Sequence, residues 1–243
     1  MLSDRLDTLR AERYETSFGE MLNYRLHVPD DKASDGRFPL ILFLHGAGER
    51  GDDNVSHLAY GVDAILEHSI RTGTPALLLA PQCPSEMRWS NVLGRSTLHH
   101  TLPEFPSYPM KLVSELLEVV LETYPVDLDR VYVTGLSMGG FGTWDLLMRR
   151  SDHFAAALPI CGGADETKAH WICHIPQWVF HGSDDPVISP ERSRRMVNAL
   201  KEAGCKVRYT EYAGVDHNAW DRTYANSEVL EWLLAQKRAS QVG

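Results

Sequence analysis

Short, nearly continuous apolar runs recur from Pro39 onward: PLILFLHG, PALLLAPQ, VYVTGLS, AAALPICGG and PQWVFHGS. A strand with one wet face alternates apolar and polar residues, whereas a strand covered on both faces does not, so these runs predict parallel strands buried between two layers. Helix-spaced stretches stand between them: SHLAYGVDAILEHSIR, YPMKLVSELLEVVLETY, GGFGTWDLLMRR and SPERSRRMVNALKEAG, with NSEVLEWLLAQKRA closing the chain. In the fourth, Ser189 is placed to cap, Pro190 suits the first helical position and Gly204 suits the left-handed exit. Before Pro39 the pattern changes. RYETSFG and MLNYRLHVP alternate around Gly19 and Glu20, which predicts an antiparallel hairpin at a sheet edge, and CKVRYTEYAG alternates as a last strand. The expected fold is α/β: one domain over residues 1–243, with a mostly parallel central sheet, an antiparallel N-terminal hairpin and helices on both faces. Residues 90–108, SNVLGRSTLHHTLPEFPSY, fit neither period and read as a long loop forming a partial lid over one end of the sheet.

Composition narrows the setting. Hydrophobic residues make up 43% and charged residues 23% of 243, ordinary for a folded protein with a sizeable core. The formal net charge of −9 opposes a phosphate-binding surface, so nucleic acid is not an expected partner. No apolar run reaches membrane-spanning length, and the opening MLSDRLDTLRAERYETS has no apolar targeting core, which gives a cytoplasmic expectation. Cys83, Cys161, Cys173 and Cys205 show neither CxxC nor zinc spacing and are expected as buried free thiols.

The chemistry centres on VYVTGLSMGGFGTW. A serine on a sharp strand-to-helix turn brings the residues two before and two after it so close that only hydrogen fits as a side chain. Gly135 and Gly139 hold those places around Ser137, and the resulting G-x-S-x-G between a buried strand and a helix is a nucleophile elbow. A serine hydroxyl needs a base to take its proton and a carboxylate to orient that base. Both should follow later strands. WVFHGSDDPVI presents Asp184 and Asp185, and YTEYAGVDHNAW presents His217. Asp185, directly before Pro186 with its fixed φ, is the expected acid, with Asp184 a solvated neighbour. The predicted triad is Ser137, His217 and Asp185.

An acyl-transfer site also needs two N–H groups for the oxyanion. Met138, directly after the nucleophile, should give one, and Ala47 in His45-Gly46-Ala47-Gly48 the other, with His45 structural and Glu49, Arg50 and Asp52 fixing the loop. Gly48, Trp89 and Trp220 are expected around the substrate, while Trp144 and Trp178 fall within helix and strand patterns and belong to the core.

LFLHGAGERG, LLLAPQCP with Trp89, VYVTGLSMGGFGTW, WVFHGSDDPV and YTEYAGVDHNAWD together resemble α/β-hydrolase-fold serine carboxylesterases of the phospholipase/carboxylesterase and predicted-peptidase group, near the dienelactone-hydrolase branch. The resemblance implies the same triad and a loop from Pro81 to Trp89 bordering the acyl pocket. It departs from dienelactone hydrolases proper, which carry cysteine at the place of Ser137. The expected activity is hydrolysis of short-chain or aryl esters through an acyl-enzyme, on a small-molecule substrate, with no metal or organic cofactor. Peptide hydrolysis by the same residues is the alternative, and a non-catalytic binding module the third reading.

Overall fold

The computed structural model describes residues 5–29, 36–91 and 98–238. Strand β1 (Arg10–Glu15) and strand β2 (Met21–His27) form the expected hairpin, with Glu15 opposite Met21. β2 runs antiparallel to β4 (Leu77–Pro81). From there β3 (Phe38–Leu44), β5 (Val126–Leu136), β6 (Ala156–Ile160), β7 (Gln177–Gly182) and β8 (Val207–Tyr212) continue in parallel, giving an eight-stranded sheet in the order β1-β2-β4-β3-β5-β6-β7-β8. This is the α/β-hydrolase fold.

The unbroken apolar runs have a direct structural reading. On β3, Leu40, Leu42 and Leu44 enter one core layer while Ile41 and Phe43 enter the other. The first layer is closed by helices α2 (Tyr108–Thr123), α3 (Met138–Arg149) and α4 (Glu191–Glu202), through residues such as Leu116, Trp144 and Met196. The second is closed by α1 (Val62–Thr72), α5 (Trp220–Ala225) and α6 (Ser227–Ala235), through Ile65, Tyr224 and Leu230. Trp144 and Trp178 are core residues, as the pattern predicts.

Three details differ from the sequence reading. The helix expected over 56–71 is broken: a 3-10 turn covers Ser56–Leu58 and α1 starts only after Gly61, whose φ of +79° and tight approach to the Tyr224 ring admit no side chain. α4 begins at Glu191 with Pro190 at its cap, one residue later than expected, while Gly204 leaves it at φ +79° as predicted. Cys173 and Cys205 are disulfide-bonded rather than free, because a 3-10 segment (Glu166–Ile172) packs on α4 and brings its end beside the start of β8. Disulfides belong to oxidising compartments, which weighs against the cytoplasmic expectation. Cys83 and Cys161 are buried free thiols. Among the described residues, no helix is long and apolar enough to cross a membrane.

Candidate active site

β5 ends at Leu136 and α3 begins at Met138, leaving Ser137 alone on the turn at φ +52° and ψ −115°. A serine is held in this sparsely populated region only when its surroundings over-determine it. They do: its N–H donates to the Ile160 carbonyl at 2.9 Å, and its own carbonyl accepts from Phe141 N–H. A Cβ on Gly135 would stand 2.5 Å from the Gly139 carbonyl oxygen, and one on Gly139 would collide with the Leu44 carbonyl.

The turn aims Ser137 Oγ at His217 Nε2, 2.9 Å away, and His217 Nδ1 lies 2.6 Å from Asp185 Oδ2. Three separate strand exits, after β5, β7 and β8, thus bring the predicted residues into one chain of contacts. Asp185 Oδ1 accepts from the N–H groups of Val187 and Ile188 at 2.8 and 2.9 Å. Burial pushes the Asp185 carboxyl up, but hydrogen bonds from His181, from His217 and from those two amides outweigh it and hold the group well below the usual carboxylate range. Asp185 therefore stays ionised. Asp184 is exposed, and its carboxylate accepts from Ser183 Oγ at 2.6 Å.

The turn that carries Ala47 is built on His45. Its Nε2 accepts from Cys83 N–H at 2.8 Å, so its Nδ1 carries the hydrogen and donates to the Gly46 carbonyl at 2.6 Å. Burial pushes this imidazole down to about 3, which keeps it neutral. Arg50 Nε donates to the Ala47 carbonyl at 2.8 Å and its NH1 to the Met87 carbonyl at 3.2 Å, tying the turn to the loop before Trp89. Ala47 opens a 3-10 turn and Met138 opens α3, so both N–H groups are among those that a helical start leaves without an internal partner.

A cavity of about 360 Å³ opens over Ser137 and His217, and Ala47, Gly48, Met138 and Trp220 line it. Trp220 stands edge-on to the His217 ring at 5.2 Å, with Tyr60 beyond it. Trp89 does not line the cavity. It is fully buried, donates its Nε1 hydrogen to the His45 carbonyl at 3.0 Å and packs on Gly142, so it holds the turn at His45 from within the core. Of the expected partial lid, residues 92–97 lie outside the described residues. Ser90 lines the cavity, and His100 stacks on Phe141, another lining residue.

Sequence reasoning passed over several neighbours. Phe141 and Arg192 lie on helix faces and carried no local signal; the Arg192 guanidinium sits 5.3 Å from the Phe141 ring centre. His181, by contrast, stands four residues before Asp185 in HGSDDPV, and that spacing could have marked it. Among the described residues, Cys161, His181 and Asp185 form one buried group of metal-binding type, their ligand atoms within 4.8 Å of one another. Those atoms are already engaged: the Cys161 thiol donates to the His217 carbonyl at 3.4 Å, and His181 Nε2 lies 3.1 Å from Asp185 Oδ2. The group is a hydrogen-bonded cluster behind the acid.

Comparison with known proteins places the chain among esterases. A solved thermostable esterase is 41% identical with a TM-score of 0.86; the match covers 96% of this chain but 64% of that one, so the chain spans under two thirds of that protein. "Probable feruloyl esterase C" of Aspergillus niger is 26% identical over 208 residues, 82% of this chain and 68% of the relative. A feruloyl esterase module from Clostridium thermocellum, 14% identical with a TM-score of 0.69 over 97% of this chain and 90% of its own, shares the fold. The family described as "Putative esterase" matches residues 16–204, most of the chain, and to that family of α/β-hydrolase-fold carboxylic ester hydrolases this protein belongs.

Proposed function

We propose that the protein hydrolyses small carboxylic esters through an acyl-enzyme on Ser137. The observation that carries the reading is the contact chain from Ser137 Oγ through the two His217 nitrogens to Asp185, at 2.9 and 2.6 Å. Ser137 Oγ attacks the ester carbonyl carbon while its proton passes to His217 Nε2. The oxyanion so formed accepts from Ala47 and Met138 N–H, charge stabilisation that commonly provides a large share of the rate. Collapse breaks the carbon–oxygen bond to the alcohol, which takes the proton from His217. Water, deprotonated by the same nitrogen, then releases the acid and regenerates Ser137. Asp185, ionised and held by two amides, keeps His217 in the required tautomer.

The aromatic walls at Tyr60, Phe141 and Trp220 suit short-chain or aryl esters, and relatives named as feruloyl esterases support including ferulate esters. The test is labelling of Ser137 by a fluorophosphonate, followed by a panel of p-nitrophenyl esters, methyl ferulate and a peptide anilide. Labelling with ester turnover above anilide turnover is expected. An unlabelled, inactive protein would overturn the reading, and anilide preference would favour a peptidase.

A further inference from the structure

We propose that His181 is a positioning residue that acts on His217 through the oxygen they share, Asp185 Oδ2. This rests on the triad reading. His217 Nδ1 reaches that oxygen at 2.6 Å and His181 Nε2 at 3.1 Å. His181 is fully buried at the end of β7, and its Nε2 also faces the Ile188 carbonyl at 2.9 Å. Both neighbours of Nε2 are acceptors, so Nε2 carries a hydrogen. Its Nδ1 stands 2.7 Å from Ser193 Oγ on α4, and that hydroxyl also reaches the Gly162 carbonyl at 3.2 Å. The ring is thus anchored at both nitrogens, and its Nε2–H is the donor that reaches Asp185 Oδ2.

Two consequences follow. The anchored ring holds Asp185 Oδ2 while the Val187 and Ile188 amides hold Oδ1, so both carboxylate oxygens are fixed. It also takes up part of the acceptor capacity of Oδ2 that would otherwise serve the protonated form of His217. The other charged and titratable groups around His181 are the Cys161 thiol at the end of β6, His217 itself, and Glu211 on the paired β8, which is held by Arg194 at 2.6 Å. Arg194 satisfies the Glu211 charge, which leaves Asp185 as the anion that His181 serves.

The test is the pH dependence of Ser137 labelling by a fluorophosphonate, with kcat and KM on an aryl ester alongside. His181→Phe keeps a planar ring and removes the polar contacts at both ring nitrogens. Its labelling rate and kcat should fall roughly 10- to 100-fold, as expected for a small misplacement of the acid, with KM changed less than about 3-fold. The acid limb of its rate profile should move to higher pH, because an Oδ2 freed of one donor holds protonated His217 more firmly. His181→Gln, whose side-chain NH2 can reach the place of Nε2, should restore the limb and most of the rate. Ser193→Ala should move the limb the same way by less, and it decides the matter if His181→Phe does not fold. An unmoved limb in His181→Phe or Ser193→Ala, or a limb moved to lower pH, overturns the proposal. A wild-type protein that is not labelled at all takes down the triad reading first.

Discussion

His45 Nδ1 donates to the carbonyl of Gly46 at 2.6 Å, and that carbonyl belongs to the same peptide plane as the Ala47 N–H. In a trans peptide the two point in opposite directions, so drawing the carbonyl onto the imidazole directs the N–H the other way. Ala47 lines the cavity above Ser137. His45→Leu, which frees the Gly46 carbonyl to rotate, should lower kcat by about 10- to 100-fold, less than the ~10²–10³ seen on deleting an oxyanion donor outright. KM should change little. His45→Asn, able to keep a donor near Nδ1, should lose less, and thermal melts of both variants would separate a local effect from general unfolding.

The residues proposed for catalysis act as a unit. Ser137→Ala, His217→Ala and Asp185→Asn should each lower kcat by roughly 10³-fold or more, and the losses should not add in double variants. Asp184→Asn, at an exposed carboxylate that accepts from Ser183 Oγ, is the control and should stay within about 2-fold. If Asp184→Asn is crippling and Asp185→Asn is mild, the acid has been misassigned.

The sheet and the elbow were legible because both rest on local rules. Double burial leaves apolar runs such as LILFL, and the collision of any Cβ at Gly139 with Leu44 forces G-x-S-x-G. What escaped depends on contacts between distant segments. An apolar residue near the site suits a pocket wall, which is why the sequence points to Trp89, but nothing local tells whether an indole faces the cavity or turns its N–H inward to the His45 carbonyl. Cys173 and Cys205, 32 residues apart, meet only because the Glu166–Ile172 segment folds onto α4. The break at Gly61 likewise answers to Tyr224, more than 160 residues away.

Acid sensitivity should follow from buried histidines. Burial pushes His45 down to about 3 and His57 and His100 down to about 4, so each is neutral in the folded state, whereas in the unfolded chain each titrates near 6.5. Folded values below unfolded ones mean that this stability is complete above pH ~6.5 and is lost as pH falls from there toward the folded values. At pH 5 the cost is at most about 2 kcal/mol per histidine. Carboxylates held low, such as Asp185, contribute their full stability above their unfolded values near 4 and lose it only below them, outside this window. Urea midpoints should therefore fall steadily between pH 7 and 5, and His57→Phe should make the decline shallower. A midpoint independent of pH across that range would contradict the assignment.

The Cys173–Cys205 bond joins the end of the Glu166–Ile172 segment to the strand β8 that leads toward His217, closing a loop of 32 residues. Restricting the unfolded chain by a loop of this size is worth about 4 kcal/mol on the chain-entropy account, or roughly 10 °C in melting temperature for a domain this large. Both sulfurs belong to partly exposed residues, so reductant can reach them without unfolding. Dithiothreitol should lower the melting temperature of the wild type by that order and leave a Cys173→Ser/Cys205→Ser double variant, already destabilised, unchanged. The bond lies away from Ser137, so initial rates at 25 °C should be alike with and without reductant. Equal melting temperatures under both conditions, with thiol titration showing four free cysteines in the untreated unfolded protein, would mean that the pair is reduced as isolated.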